Sequence, residues 1–162
     1  MLKPSIVREF FNYDAETGLL TWRIRRANSI KVGDRAGYLK SDGYLVVGVC
    51  SKLQLVHRVA WVHFYGVEPP KYIDHINGNR SDNRIANLRA APLGKNAQNV
   101  RKAYSNNKSS GLLGVYWHKS GKWHARIQTD HRPRSLGLFA TKEEAHDAYL
   151  KAKREAHEFC TI

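Results

Sequence analysis

The chain has 162 residues, 27 Lys and Arg against 14 Asp and Glu, and a formal net charge of +13. That length holds one medium domain or two small ones and excludes a large multi-domain enzyme; a 42% hydrophobic and 10% aromatic content supplies real cores and excludes global disorder. So large a positive excess predicts an anionic partner, nucleic acid first and an anionic membrane second.

The longest apolar runs, Tyr44 to Cys50 and Val59 to Tyr65, are far too short to span a bilayer. The opening residues Met1-Leu2-Lys3-Pro4 lead into no apolar segment of the secretory type. Cys50 and Cys160 form no CxxC pair, which argues against a zinc ribbon and against a disulfide framework. The expectation is a cytoplasmic protein in a reducing compartment, with Cys50 a small buried apolar residue.

Residues 5–12 read as a short helix that Ser5 can cap, with Ile6 and Phe10 on one face. Leu19 to Ile24 and Tyr44 to Val49 read as strands, punctuated by glycines at 33, 37, 43 and 48. His57 to Tyr65 has helical spacing, Gly66 ends it, and Pro69-Pro70 prevents its resumption. Tyr72 to His75 reads as extended, 77–84 as a polar loop, and Asn87 to Ala91 as a second short strand. Pro92 suits the start of a helix from about Leu93 to Tyr104. The small polar stretch 105–111 reads as a linker.

Three strands are expected next, at Gly114 to His118, Lys122 to Thr129 and Arg134 to Phe139. Thr141 with Glu144 three residues on is a capping-box pattern, opening a helix that carries Ala145, Ala148, Tyr149 and Ala152 on one stripe. Residues 106–140 carry a net charge of +5 and residues 141–162 a net charge of −1. The basic charge therefore sits on the strands. A sheet covered on one face by a neutral helix leaves its other face for phosphates and bases. Alternation sets Trp123, Ala125 and Ile127 against Lys122, His124 and Arg126, which leaves Trp123 either a core residue or a DNA-contacting aromatic. Trp22, Trp61 and Trp117 read as core. The final helix reads as a packing element whose Lys151, Lys153 and Arg154 are offset by Glu155 and Glu158.

Asp74-His75 closes one extended segment, Asn87 precedes another, and Asn96 falls on the expected helix. Two strands and a helix can bring such residues to one point. Phosphodiester hydrolysis needs a base that is neutral near pH 7, which His supplies, and a cation at the scissile phosphate. Asp and Asn offer the hard oxygen ligands that suit Mg²⁺. Asn87 can brace the loop that carries His75 by bonding backbone. The bland reading of each piece also stands: Asp-His is a common dipeptide, Asn77, Asn79 and Asn83 are turn formers, His57 begins a helix, and Arg84 and Arg89 are either phosphate contacts or ordinary exposed arginines.

The ordered set His57-Arg58-Val59-Ala60-Trp61, Gly66, Pro69, Ile73-Asp74-His75-Ile76-Asn77-Gly78-Asn79, Asp82-Asn83-Arg84, Asn87-Leu88-Arg89, Asn96 and Asn99 resembles the HNH endonucleases of the phage homing type, whose active site is the ββα-metal or His-Me finger. Gly33-Asp34, Gly37 and Gly43-Tyr44 extend the likeness upstream, so that it covers residues 10 to 105. The resemblance implies His75 as general base and Asp74 and Asn96 as ligands of a divalent cation, Mg²⁺ or another such as Mn²⁺. It assigns Asn87 to orient the His75 loop, and the products carry 5′-phosphate and 3′-hydroxyl ends. Many relatives add zinc-binding Cys pairs; this chain lacks them, so packing from the N-terminal region must hold the motif. One centre per chain implies a monomer that nicks one strand unless it dimerises or rebinds.

Downstream, Gly114-Val115-Tyr116-Trp117, Lys122-Trp123-His124-Ala125-Arg126-Ile127, Leu136-Gly137-Leu138-Phe139, Thr141, Glu144-Ala145 and Ala148-Tyr149 are similar to the Apetala-type domain of plant ethylene-response factors, also found appended to phage HNH proteins. That likeness implies a three-stranded sheet entering the major groove of double-stranded DNA. Tyr116, His118, Lys119, Lys122, Arg126, Arg132 and Arg134 are the contact candidates, with Arg84 and Arg89 beside the nuclease centre.

The fold class expected is α+β: a mixed nuclease region with a ββα-metal motif over 1–104, a linker at 105–111, and a three-stranded antiparallel sheet on one helix over 112–162. The leading functional reading is a metal-dependent, sequence-preferring DNA endonuclease. Its main rival is a non-catalytic sequence-specific DNA-binding regulator built on the same basic sheet. RNA binding through surface aromatics is a third, while no basic amphipathic helix supports a membrane-surface role.

Overall fold

The computed structural model describes residues 2–92, 100, 103, 107–129, 132–157 and 160. The fold is mixed α and β and divides into two compact units, Met1–Leu93 and Gly94–Ile162.

The first unit begins with helix α1, Pro4–Phe10. Proline fits the first helical position, where its missing N–H costs nothing. The expected Ser5 cap is not made: Lys3 is the N-cap and contributes no side-chain bond. Nor does the helix run to residue 12. Phe11 adopts extended backbone and opens strand β1, Phe11–Tyr13, which pairs antiparallel with β2, Leu20–Trp22. Burial of the Phe11 ring against Trp22, centroids 4.8 Å apart, outweighs one further helical turn. In the turn between the strands, Asp14 Oδ1 accepts from the Glu16 N–H at 2.9 Å. Gly18 follows at φ +72°, with its backbone pressed against Asn83 and Arg84.

Strands β3 (Tyr38–Leu39), β4 (Leu45–Val49) and β5 (Lys52–Leu55) form an antiparallel sheet in that order. The β4–β5 hairpin turns on Cys50 and Ser51, both at positive φ, because a two-residue hairpin demands that geometry. Cys50 is therefore exposed at the hairpin tip rather than buried. Helix α2, Val56–Tyr65, follows directly and buries Val56, His57, Val59, Ala60 and Val62. Val7, Phe11, Leu20, Trp22, Val47, Val56, Val59 and Val62 share one core. The Arg8 guanidinium donates to the His63 carbonyl at 2.9 and 3.0 Å, satisfying a carbonyl in the last turn of α2. Two short strands complete the unit: β6, Ile73–His75, and β7, Leu88–Ala90, the latter preceded by a 3₁₀ turn at Ile85–Asn87. The helix expected from Leu93 to Tyr104 falls largely outside the described residues.

The second unit is a three-stranded antiparallel sheet of β8 (Val115–His118), β9 (Lys122–Thr129) and β10 (Arg132–Phe139), with β9 central. Helix α3, Lys142–Ala156, starts on a complete capping box in which Thr141 and Glu144 exchange bonds of 3.2 Å. Val115, Ala125 and Ala145 meet at one point of the interface; Leu113, Ile127, Tyr149 and Ala152 meet at another. Gly114, at φ +70°, lets the Tyr149 ring lie where a Cβ would be, 2.0 Å from Cδ2.

Four details add to or depart from the sequence reading. Trp123 packs on the α3 side, which settles its place as core. Trp117 pairs with it edge-on at 4.8 Å yet stays 55% exposed, because β8 is an edge strand. In the stretch read as linker, Ser110 is buried and its hydroxyl donates to the Val115 carbonyl at 2.7 Å, while Asn107 Nδ2 donates to that of Leu112 at 2.9 Å. Lys153 is buried too; its ammonium donates to the Val100 carbonyl and lies 5.8 Å from the Tyr149 ring centroid. Among the described residues no helix is long and apolar enough to cross a membrane.

Candidate active site and nucleic-acid face

Antiparallel pairing of β6 with β7 sets Ile73 opposite Ala90, Asp74 opposite Arg89 and His75 opposite Leu88. Ile73 and Leu88 pack on Ala60 of α2, with Trp61 and Ile85 beside them. All three β6 residues are buried, so their polar groups must find partners inside the protein.

The loop after β6 consists of Asn, Asp, Ser and Arg around Gly78, and its short side chains bond nearby backbone. Asn77 Oδ1 accepts from the Asn79 N–H at 2.8 Å, and Asn79 Oδ1 accepts from the Ser81 N–H and hydroxyl. Asn87 clamps the two ends together. Its Oδ1 accepts from the Asn77 N–H at 2.9 Å, its Nδ2 donates to the Asp82 carbonyl at 2.8 Å, and its own carbonyl accepts from the Ile76 N–H at 2.8 Å. Asp82 in turn takes the Arg84 guanidinium at 2.6 and 2.8 Å and the Asn77 amide at 2.6 Å. The Arg84 pairing holds the Asp82 carboxyl down at about 2.

His75 is 4% exposed. Its Nε2 lies 3.4 Å from Oδ1 of Asn83, and the His57 ring meets it edge-on with centroids 5.0 Å apart. Tyr44 closes the group, its ring centroid 5.5 Å from that of His57 and 5.9 Å from that of His75, with the Arg80 guanidinium carbon 5.0 Å from the Tyr44 centroid. Burial lowers the His75 pKa below the ordinary imidazole value, opposed by the Asn83 bond and by the charges of Asp74 and Asp82. Burial drives His57 down to about 3, with the His75 and Arg58 charges adding to the effect. Both imidazoles are neutral at pH 7, the state in which His75 can accept a proton.

Asp74 is held by Arg89, whose Nε and Nη2 donate to Oδ2 at 3.0 and 2.8 Å. Both arginines read as phosphate contacts, Arg84 and Arg89, thus sit on carboxylates. Asn96, expected to share a cation with Asp74, lies outside the described residues. Among the described residues no three His, Cys, Asp or Glu side chains converge as ligands. The donor chemistry, one buried carboxylate on β6 beside an oxygen-rich loop, fits in kind a hydrated Mg²⁺ that needs few protein ligands. Reading the sequence as turn formers and helix start missed Asn83 and His57. The signal available was only their presence in the ordered HNH-like set; their burial around His75 comes from tertiary packing.

In the second unit, register places Tyr116 opposite His124 and His118 opposite Lys122, on the face away from α3. Arg126 shares that face and its guanidinium lies 5.4 Å from the Tyr116 ring centroid. His124 Nε2 pairs with the Ser135 hydroxyl at 2.8 Å and His118 Nδ1 with that of Ser120 at 2.7 Å, so both rings are held in place. Lys119 is exposed in the following turn. Arg132 and Arg134 are exposed as well, but they pair with Thr129 and Ile127, the register positions that point to the α3 side. The strand therefore separates them from Arg126. His124 and the exposed Leu138, paired with it, join the outer face instead.

Residues 54–101 match the family model for HNH endonuclease, a span that begins just before α2 and contains His57, Asp74, His75, Asn83 and Asn87. The chain is also 32% identical over 107 residues to Protein 3.8 of Escherichia phage T7, an alignment covering 59% of this chain and 87% of that protein. No solved structure matches. On these two matches we conclude that the chain belongs to the family of phage Protein 3.8 and carries an HNH endonuclease domain at residues 54–101.

Proposed function

We propose that the protein is a metal-dependent DNA endonuclease of the phage homing branch, with a ββα-metal centre on β6, β7 and the segment carrying Asn96, and with an Apetala-type sheet in the second unit that adds affinity and sequence preference. The observation that carries this reading is the His75 imidazole: buried, neutral at pH 7 and fixed by hydrogen bonding and ring packing beside the Asp74 carboxylate.

His75 takes the proton of the attacking water. Asn87 keeps the loop closed so that the ring does not drift from that position. Arg89 anchors Oδ2 of Asp74 with two bonds, and Asp74 with Asn96 would hold the divalent cation. The chemistry expected of that ion is stabilisation of charge on the phosphate and on the departing 3′ oxygen. On the second unit, Arg126 and Lys122 neutralise phosphate or read base edges, and Tyr116 offers a flat apolar surface.

The test is nicking of supercoiled plasmid with Mg²⁺, with EDTA, and by His75→Ala. Cleavage should require the cation and should fall by about 10²-fold or more in the variant. A variant that nicks at the wild-type rate rejects His75 as the base. A second reading, a DNA-binding regulator that does not hydrolyse, is favoured by the outer face of the sheet, which needs nothing from the His75 site. Retarded DNA in a gel with no nicking across Mg²⁺, Mn²⁺ and Ca²⁺ would establish it.

A further inference from the structure

The loop after β6 and strand β7 carry three arginines, Arg80, Arg84 and Arg89. Arg84 sits on the Asp82 carboxylate and Arg89 on that of Asp74. Arg80 differs. Its Nη1 donates to the Asp42 carbonyl at 2.9 Å, and its guanidinium carbon lies 5.0 Å from the Tyr44 ring centroid. The Asp42 carboxylate is engaged elsewhere: Lys40 Nζ donates to its Oδ2 at 2.9 Å and the Tyr44 N–H to its Oδ1 at 3.2 Å. Arg80 is exposed, and among the described residues its Nε and Nη2 make no hydrogen bond or ion pair.

A guanidinium presents five N–H donors in a planar fork and keeps its charge at any physiological pH. In Arg80 one donor is tied to a carbonyl and the group is laid by an aromatic ring, so little side-chain freedom is left to lose when an anion arrives. The unused edge, Nε with Nη2, is the one that pairs side by side with two oxygens of an anion; Arg89 offers the same two atoms to Asp74. The Tyr44 ring also packs beside His57 and His75, so the cation and the buried imidazole border one ring.

We propose that Arg80 is the phosphate contact of the candidate active site: its Nε and Nη2 edge receives a DNA phosphate on the strand being cut, at the scissile position or next to it. The assignment rests on the hydrolytic reading above and deepens it. It gives to Arg80 the role that the sequence suggests for Arg84 and Arg89, both already balanced by carboxylates. A phosphodiester carries one negative charge over two unbridged oxygens, which matches that edge in charge and in spacing. Because the tie to Asp42 holds the guanidinium in place, the contact also fixes the strand relative to His75.

The measurement is equilibrium binding of the full chain to a labelled duplex in EDTA, by fluorescence anisotropy over a series of salt concentrations. Each phosphate neutralised on B-DNA contributes about 0.9 to the slope of log K against log salt. Arg80→Gln should lower the slope by about that amount and weaken binding about 5- to 10-fold at roughly 0.1 M salt. Arg80→Lys keeps the charge and should retain the slope. A role confined to bracing the loop against the Asp42 turn would lower Tm and leave the slope as it is. The place of the contact is read with methylphosphonates, which remove the charge of a single phosphate. On a duplex containing the cut site mapped from wild-type products, neutralising the scissile phosphate or its neighbour should abolish the penalty of Arg80→Gln. Neutralising a phosphate one helical turn away should not. An unchanged slope in Arg80→Gln overturns the proposal, as does a penalty that survives neutralisation at both near positions. Should Arg80→Gln fail to fold, Arg80→Met, whose unbranched stem can still cover Tyr44, takes its place and the same outcomes decide. A wild type that binds the duplex but cuts none overturns the hydrolytic reading, and with it the placement at a scissile phosphate; the slope then still decides whether Arg80 meets DNA.

Discussion

Gly18→Ala tests whether the turn between β1 and β2 buttresses the loop that follows β6. Gly18 has φ +72°, and a Cβ built there would lie 2.5 Å from the Arg84 nitrogen and 2.7 Å from the Asn83 carbonyl carbon. Both neighbours are backbone, so neither can swing aside as a side-chain tip would. The left-handed conformation alone costs a non-glycine residue about 1 kcal/mol. Forcing two backbone segments apart adds about 1–3 kcal/mol, giving about 2–4 kcal/mol in all. Gly33→Ala is the internal control: its φ is +91°, but nothing lies within 4 Å of the added methyl group. The control should therefore lose only about 1 kcal/mol. Urea titration with linear extrapolation measures both. Nicking should fall with Gly18→Ala beyond what stability explains, because the displaced peptide is that of Asn83, and should be retained in Gly33→Ala. If Gly18→Ala costs no more than Gly33→Ala, the turn does not brace the loop and the reasoning fails.

The His57 ring gives a pH prediction whose sign follows from its environment. Its pKa is about 3 in the folded chain against the ordinary 6.5, so between those values the unfolded chain binds the extra proton. Its contribution to stability is thus complete above about pH 6.5 and declines, by up to about 1.4 kcal/mol per pH unit, as pH falls toward 3. Urea midpoints measured from pH 7 to pH 4 should drop more steeply for wild type than for His57→Phe, and equal slopes would refute the assignment. On the second unit, Arg126→Ala should weaken DNA binding and reduce the salt dependence of log K by about one phosphate contact if Arg126 meets the backbone, or relax base preference by about 1–3 kcal/mol if it reads guanine. Unchanged binding at every salt concentration would remove this face from the interface.

Much of the fold could be read from periodicity. α2, β9 and α3 each carry an apolar pattern long enough to fix their type, and the Thr141–Glu144 cap is a local signal that the structure contains as written. Failures occur where tertiary contacts outweigh local preference. Phe10 and Phe11 are both apolar, and nothing nearby says that the second begins a strand; pairing with Trp22 does. Cys50 looks like a core residue until the hairpin geometry puts it at a tip. Lys153 is buried because a carbonyl and an aromatic ring receive it, neither of which is adjacent in sequence. In the site, Asp74, His75 and Asn87 stand out in the sequence because their chemistry and spacing suggest a role. Asn83 does not, since its value depends on Tyr13, seventy residues away in sequence, holding its carbonyl. The segment with Asn96 lies outside the described residues.

The Asp74–Arg89 pair separates assembly from activity. Because a guanidinium already balances that carboxylate across the strand register, the pairing of β6 with β7 should form without an inorganic ion. Small domains nucleated on zinc melt when chelated; this one should survive dialysis against EDTA with its circular dichroism and Tm intact, and regain activity on adding back Mg²⁺ without a refolding lag. On the metal-dependent reading proposed above, such a protein would reach its DNA ready-folded and wait there for the cation.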